Sequence, residues 1–104
     1  MKEPIISAII LAAGESQRMA GIDKIFTPVL NRPIIDYSIS ILAECPEISE
    51  IVVVLAKSKI ETFEVLSGQS NWQKPISYCV GGSRRQDSVM AGLSALNPCD
   101  LVII

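Results

Sequence analysis

The chain has 104 residues, of which 49% are hydrophobic and 19% are charged, and its formal net charge is −2. This length and composition fit one folded domain, or part of one, and they exclude disordered and collagen-like chains. The nine basic and eleven acidic residues provide no broad basic surface, so we expect no nucleic-acid partner.

The chain contains no histidine. Ser-His-Asp and Cys-His nucleophile systems, histidine metal ligands and an imidazole general base are therefore excluded within it. Its three cysteines, Cys45, Cys79 and Cys99, are widely spaced and form no C-x-x-C pair. This pattern favours unbonded thiols in a reducing compartment, so we expect a cytoplasmic protein.

Four short apolar runs predict strands at Ile5–Leu11, Ile51–Ala56, Ile76–Val80 and Leu101–Ile104. Each run is rich in Ile and Val and is continuous rather than alternating, which is typical of strands buried on both faces. All of them are shorter than the roughly 20 residues of a membrane span, so we expect no membrane partner.

The stretches between these runs predict three helices. Pro33 suits the first position of the first helix. Ser58 and Ser83 each begin the four-residue spacing of a capping box, which predicts that the second and third helices begin there. The alternation of strands and helices predicts an open, mostly parallel α/β sheet in a three-layer α/β/α arrangement, with the fourth strand at an exposed edge.

A loop of small residues follows the first strand directly, in the segment of residues 11–19 (LAAGESQRM). Small residues let the backbone approach a ligand, and successive amides there can bind phosphate. The guanidinium of Arg18 suits phosphate oxygens, and Lys24 adds a second positive charge. The G-x-G-x-x-G and P-loop patterns are both absent, so from spacing alone a tight turn with a surface arginine is the alternative.

Two segments together resemble a known family. Residues 11–19 resemble the L-A-A-G-x-G-x-R-M signature of nucleotidyltransferases with a Rossmann-like catalytic domain. Residues 81–89 (GGSRRQDSV) resemble the G-G-x-x-R-x-D-S-V segment of the 2-C-methyl-D-erythritol 4-phosphate cytidylyltransferases of non-mevalonate isoprenoid biosynthesis. The resemblance implies a Rossmann-like nucleotidyltransferase sheet that stops after its fourth strand. We therefore expect residues 1–104 to be the N-terminal part of a single nucleotidyltransferase domain.

The resemblance also implies an activity. Members of the family transfer CMP from CTP to 2-C-methyl-D-erythritol 4-phosphate, a sugar-alcohol phosphate, and release pyrophosphate, with Mg²⁺ bound to the nucleotide. By this resemblance, the backbone of Ala12, Ala13 and Gly14 would contact the nucleotide. Arg18 and Lys24 would be the catalytic residues, contacting the triphosphate and stabilising charge at the α-phosphorus.

The second segment would bind the other end of the nucleotide. Gly82, Ser83 and Ser88 would lie near the cytosine and ribose. Arg85 and Asp87 belong to the same segment, and two roles stay open for Asp87: a ligand contact, or a charge that complements the dipole of a helix N-terminus.

The chain also departs from the family pattern. Ser16 stands where the family often has Gly, and Asp23 precedes Lys24 and would offset part of its positive field. The family's metal-binding aspartate, acceptor-binding residues and dimerising arm have no counterpart in residues 1–104, so we assign no metal ligand here and expect a homodimer only of the parent protein.

Several alternatives stay open. The parent could be another nucleotidyltransferase, such as a ribitol-5-phosphate cytidylyltransferase. The 104-residue chain could be inactive alone, as a non-catalytic fragment that binds nucleotide, or an α/β domain whose exposed sheet edge contacts another protein. Trp72 is either a loop anchor or a partner contact.

Overall fold

The apolar runs of the sequence form the strands of one sheet, and helices form between them. A computed structural model describes residues 4–13, 18–19, 22–23, 28–29, 32–72 and 74–104. In chain order the elements are β1 (Ile6–Ala12), β2 (Arg18–Met19), β3 (Ile22–Asp23), β4 (Pro28–Val29), β5 (Arg32–Pro33), α1 (Ile34–Ala43), β6 (Ile48–Leu55), α2 (Ile60–Gln69), β7 (Ile76–Val80), α3 (Arg85–Ala95) and β8 (Leu101–Ile103).

Four of these strands form a parallel sheet in the order β7-β6-β1-β8. The first strand along the chain therefore lies between the second and the fourth, which is the strand order of doubly wound nucleotide-binding sheets. β8 lies at one edge of this sheet, as predicted. The short strands β2 to β5 form two antiparallel pairs that were not predicted.

The burial of β6 explains its continuous apolar run. Ile51, Val53 and Leu55 belong to the core cluster that includes residues of α1 and α2, whereas Val52 and Val54 belong to a second cluster. All five of these side chains are 0% exposed. Because α3 packs on the side of the second cluster, the sheet is covered on both faces and the predicted three-layer arrangement is confirmed.

The predicted boundaries differ from the structure in several places. β6 begins at Ile48, three residues before the predicted start, because Ile48 pairs with Ile6 across the sheet. Pro33 is the N-cap of α1 rather than its first residue. The capping box predicted at Ser58 is wrong, since a 3-10 turn over Lys57–Lys59 leads into α2, which has no side-chain cap bond.

Trp72 anchors the segment between α2 and β7. Its indole Nε1–H donates a hydrogen bond of 3.0 Å to Oδ1 of Asp36, which is 9% exposed in the first turn of α1. Its ring also stacks on Phe63, with the ring centroids 6.0 Å apart. These contacts support the loop anchor, one of the two alternatives given by the sequence.

No helix formed by the described residues has the length and apolar character needed to cross a membrane.

Candidate functional site

The loops that follow β1 and β7 begin at the same edge of the sheet. Ala12 at the end of β1 is in register with Leu55 of β6, and Leu55 is in register with Val80 at the end of β7. With a spacing of about 4.8 Å between neighbouring strands, β1 and β7 are about 10 Å apart. The two sequence motifs, 70 residues apart, therefore meet at the carboxyl ends of the strands.

Gly81 lies where the two motifs touch. Its backbone N–H donates a hydrogen bond of 2.9 Å to the carbonyl of Leu55, which fixes it at the end of the sheet. A Cβ atom at Gly81 would lie 2.5 Å from Oγ of Ser88, 2.7 Å from Cβ of Ala13 and 2.8 Å from Cγ1 of Val54. Ala13 from the first motif and Ser88 from the second are thus both packed directly against Gly81.

Ser88 is a buried hydroxyl in the first turns of α3. It is 5% exposed, and its Oγ donates a long hydrogen bond of 3.5 Å to the carbonyl of Gly82. Its backbone N–H donates to the carbonyl of Arg84 as the helix begins. The side chain is therefore held under the Gly81–Gly82 turn.

Both carboxylate oxygens of Asp87 accept hydrogen bonds from Arg84, the residue just before α3. Its Oδ2 accepts hydrogen bonds from the backbone N–H and the Nε–H of Arg84, at 3.3 and 3.1 Å, and its Oδ1 accepts one from Nη2 at 3.1 Å. The hydrogen bonds from Arg84 lower the pKa of Asp87 below its ordinary value. Of the two roles left open for Asp87, this arrangement supports the one at the helix N-terminus.

The N-cap of α3 is one residue later than the sequence predicts. The predicted box began at Ser83 and paired it with Gln86. Instead Arg84 is the N-cap, and the carboxylate that reaches back to its N–H is Asp87 at the third helical position. An ionised aspartate is a stronger acceptor than a glutamine amide, so the later start is favoured.

A cavity lies beside β1 at the point where the strand order reverses. It has a volume of ≈ 380 Å³, and its lining includes Ile9 and Leu11 of β1, Ile103 of β8, Leu42 of α1 and Arg85 of α3. Arg85 is the charged residue in this lining. The lining runs along β1 from Ala8 to Leu11 and also includes Ile104, the last residue of the sequence.

Comparison with known proteins agrees with this geometry. The family model described as 2-C-methyl-D-erythritol 4-phosphate cytidylyltransferase matches residues 6–104. The chain belongs to the 2-C-methyl-D-erythritol 4-phosphate cytidylyltransferase family.

Individual relatives carry the same name. The chain is 41% identical over 99 residues to the 2-C-methyl-D-erythritol 4-phosphate cytidylyltransferase of Dehalococcoides mccartyi strain CBDB1, covering 95% of this chain and 44% of that relative. It is 39% identical over 98 residues to the enzyme of the same name from Clostridium tetani, covering 93% of this chain and 40% of that relative. The chain thus spans less than half the length of these relatives.

A solved structure has the same fold. The crystal structure of 4-diphosphocytidyl-2C-methyl-D-erythritol synthase from Anaerococcus prevotii DSM 20548 matches with a TM-score of 0.74 at 30% identity. The match covers 91% of this chain and 39% of that one. Together with the parallel sheet, this match confirms the predicted Rossmann-like α/β fold.

The predicted site residues of this cytidylyltransferase-family chain fall into two groups. The structure describes five of these residues in full. They lie at the end of β1 or just after it, just after β7, or in α3: Ala12, Ala13, Gly82, Ser83 and Ser88.

The second group is described incompletely. Gly14 and Lys24, together with Ser16, lie outside the described residues. Arg18 and Asp23 are described by their backbone alone, as paired residues of β2 and β3. The predicted roles of Gly14, Arg18 and Lys24 toward the triphosphate stay predictions.

The acidic side chains near the site are the candidate ligands for Mg²⁺. Among the described residues, no group of three or more His, Cys, Asp and Glu side chains is arranged to hold a metal ion. Asp87, the acidic side chain next to the Gly81–Gly82 turn, directs both oxygens to Arg84.

Two residues that shape the site, Gly81 and Arg84, were not among the predicted site residues. A signal for Arg84 was present, because opposite charges three residues apart, as at Arg84 and Asp87, face each other on a helix. For Gly81 the glycine pair was visible, but its contact with Ala13 depends on strand register and had no local signal.

Proposed function

We propose that the protein containing this chain transfers CMP from CTP to 2-C-methyl-D-erythritol 4-phosphate with release of pyrophosphate. In this proposal residues 1–104 are the N-terminal, nucleotide-binding part of one nucleotidyltransferase domain. Family membership supports the activity. The observation that supports the site is the packing of Ala13 and Ser88, one from each motif, against Gly81.

The proposed reaction is an in-line transfer at phosphorus. A phosphate oxygen of the acceptor attacks the α-phosphorus of CTP, a new P–O bond forms, and the bond to the β-phosphate breaks as pyrophosphate leaves. Such a transfer depends on positioning and on positive charge rather than on a protein nucleophile, so it does not require a histidine from residues 1–104. Arg18 and Lys24 would supply this charge, and the backbone of Ala12, Ala13 and Gly14 would hold the phosphates.

Gly82, Ser83 and Ser88 would bind the cytosine and ribose. The turn after β7 exposes Gly82 and Ser83, and a small, exposed backbone segment can hydrogen-bond to the edge of a pyrimidine. The buried hydroxyl of Ser88 lies directly beneath this turn. The exposed hydroxyl of Ser83 can both donate and accept, which suits the amino and ring nitrogen positions of cytosine, and Ser88 would support the turn from below.

Mg²⁺ would enter this site bound to CTP, as the resemblance to the family implies. When bound, it would neutralise part of the charge of the triphosphate. We also propose a cytoplasmic location, which is supported by Cys45, Cys79 and Cys99, since all three are free thiols.

Nucleotide binding is tested by thermal unfolding of the purified chain with Mg²⁺ and CTP, UTP, GTP or ATP in turn. A ligand that binds only the folded state raises the melting temperature by mass action. At 100 times Kd the stabilisation is about 2.7 kcal/mol, which corresponds to a shift of about 10 °C or more for a chain of this size. We expect the largest shift with CTP. A larger shift with GTP would contradict a pyrimidine site.

The positive charge is tested with a matched pair of variants. Lys24→Gln removes a charge that the proposal places at the triphosphate. Lys74→Gln removes a charge just before the amino end of β7, whereas the two motifs follow the carboxyl ends of the strands. We expect the first to reduce the CTP-dependent shift and the second to leave it unchanged. Equal effects would remove Lys24 from the site.

The acceptor is tested with the protein at its full encoded length. Pyrophosphate release is measured with CTP and either 2-C-methyl-D-erythritol 4-phosphate or ribitol 5-phosphate. We expect release with the first acceptor. Release with ribitol 5-phosphate alone would leave the nucleotide site in place and replace the proposed activity by the alternative one.

A further inference from the structure

Gly81 occupies a fixed position between the two nucleotide-binding motifs. It is the first residue after β7, and its N–H continues the ladder between β6 and β7 by donating to the carbonyl of Leu55 at 2.9 Å. The residue therefore cannot move away from the sheet without breaking this hydrogen bond.

The space around Gly81 has no room for a side chain. Its missing Cβ would lie 2.5 to 2.8 Å from atoms of Ser88, Ala13 and Val54, whereas ordinary van der Waals contacts lie at 3.4–4 Å. Two of these neighbours cannot retreat easily, because Val54 is 0% exposed and Ser88 is 5% exposed. Ala13 is half-buried at the start of the loop that follows β1.

We propose that Gly81 is a positioning residue for the nucleotide. By lacking a side chain, it sets the distance between Ala13, in the loop that would hold the triphosphate, and Ser88, beneath the turn that would hold the cytosine. The two motifs thus bind the two ends of one nucleotide at a separation fixed through Gly81. This inference rests on the proposed function.

A methyl group at Gly81 should separate the two motifs. Opening contacts of 2.5 and 2.7 Å to an ordinary distance requires displacements of close to an ångström, divided between Ala13 and Ser88. A displacement of this size breaks or weakens hydrogen bonds, and the loss of one hydrogen bond to the nucleotide costs about 10-fold in affinity. We therefore expect Gly81→Ala to weaken CTP binding by about 10-fold or more.

The test compares four proteins at full encoded length: wild type, Gly81→Ala, Gly81→Ala combined with Ala13→Gly, and Gly92→Ala. The dissociation constant for CTP with Mg²⁺ is measured by calorimetry well below every melting temperature. Gly92→Ala is the matched control, because it also crowds α3, against Ile9 and Cγ2 of Val54, with neither Ala13 nor Ser88 among its nearest contacts.

We expect Gly81→Ala to weaken CTP binding and Ala13→Gly to restore part of the loss, because it removes the methyl group 2.7 Å away. Gly92→Ala should lower the melting temperature without changing the dissociation constant. The inference is overturned by unchanged CTP binding in Gly81→Ala, by an equal loss in Gly92→Ala, or by a double variant that recovers nothing.

A milder variant covers the case in which Gly81→Ala does not fold. Ala13→Ser adds one atom on the other side of the same contact, and we expect it to weaken CTP binding by several-fold. Unchanged binding in a folded Ala13→Ser protein would overturn the inference. If the wild type itself binds no CTP, the proposed function fails. If the wild type binds CTP and Gly81→Ala binds it equally well, only the inference about Gly81 fails.

Discussion

The packing of α3 on the sheet can be tested with two glycines in helices. Gly92 lies in α3, and a Cβ there would lie 2.9 Å from Cγ2 of Ile9 and 3.1 Å from Cγ2 of Val54. Gly68 lies in α2, and a Cβ there would have no atom within 4 Å. The same substitution, glycine to alanine, is therefore made once against a packed sheet and once into open space.

Two effects determine the difference in the free energy of unfolding between the two variants. Alanine gains about 0.5–1 kcal/mol over glycine in a helix, and this gain applies to both positions. At Gly92 it is opposed by overpacking, which costs about 1–3 kcal/mol. Ile9 and Val54 are 3% and 0% exposed, so neither side chain has room to move aside. We therefore expect Gly92→Ala to be less stable than Gly68→Ala by about 1–3 kcal/mol.

The assay is urea unfolding followed by circular dichroism, with the free energy of unfolding extrapolated to water. Gly68→Ala should be as stable as wild type or up to about 1 kcal/mol more stable. An equal gain in stability for both variants would refute the reasoning, because it would mean that α3 does not pack on Ile9 and Val54 as the structure has it.

Two further predictions concern contacts of single side chains. Trp72→Phe keeps an aromatic ring against Phe63 but removes the indole donor to buried Asp36. We expect the free energy of unfolding, measured in urea, to fall by about 1–3 kcal/mol. An unchanged value would contradict the role of Trp72 as an anchor. Asp87 has a pKa lowered by its hydrogen bonds from Arg84, so its stabilising effect is present above about pH 4 and is lost as pH falls through the lowered pKa. The melting temperature of wild type should therefore fall more steeply than that of Asp87→Asn as pH is lowered below about 4, and parallel curves would contradict the Arg84 contact.

Local patterns in the sequence predicted the main elements well. The Ile- and Val-rich runs marked all four strands of the sheet, and the continuous run in β6 correctly indicated burial on both faces. The same expectation was wrong for the edge strands β7 and β8, where Val80, Leu101 and Ile103 are exposed. Hydrophobic periodicity is a property of adjacent residues, which is why it can be recognised along the chain. Helix starts were predicted less well, because the cap at Arg84 depends on which nearby carboxylate reaches the backbone N–H.

The site was only partly predictable. Small residues in the two motifs indicated where a nucleotide would bind, and the family match supports the same segments. The structure was needed to decide between the two roles of Asp87, because the sequence is the same whether its carboxylate contacts a ligand or pairs with Arg84. The short strands β2 to β5 escaped prediction, since pairs of two residues have no recognisable period.

By itself, the sequence determined the class of fold, the absence of histidine chemistry and the two motifs that identify the family. Tertiary structure alone decided that Ala13 and Ser88 meet at Gly81 and that Trp72 donates to Asp36. The physical reason is the register of the parallel strands, which brings together residues up to 75 positions apart. That register is set by the packing of the whole sheet, so no local segment of the chain encodes it.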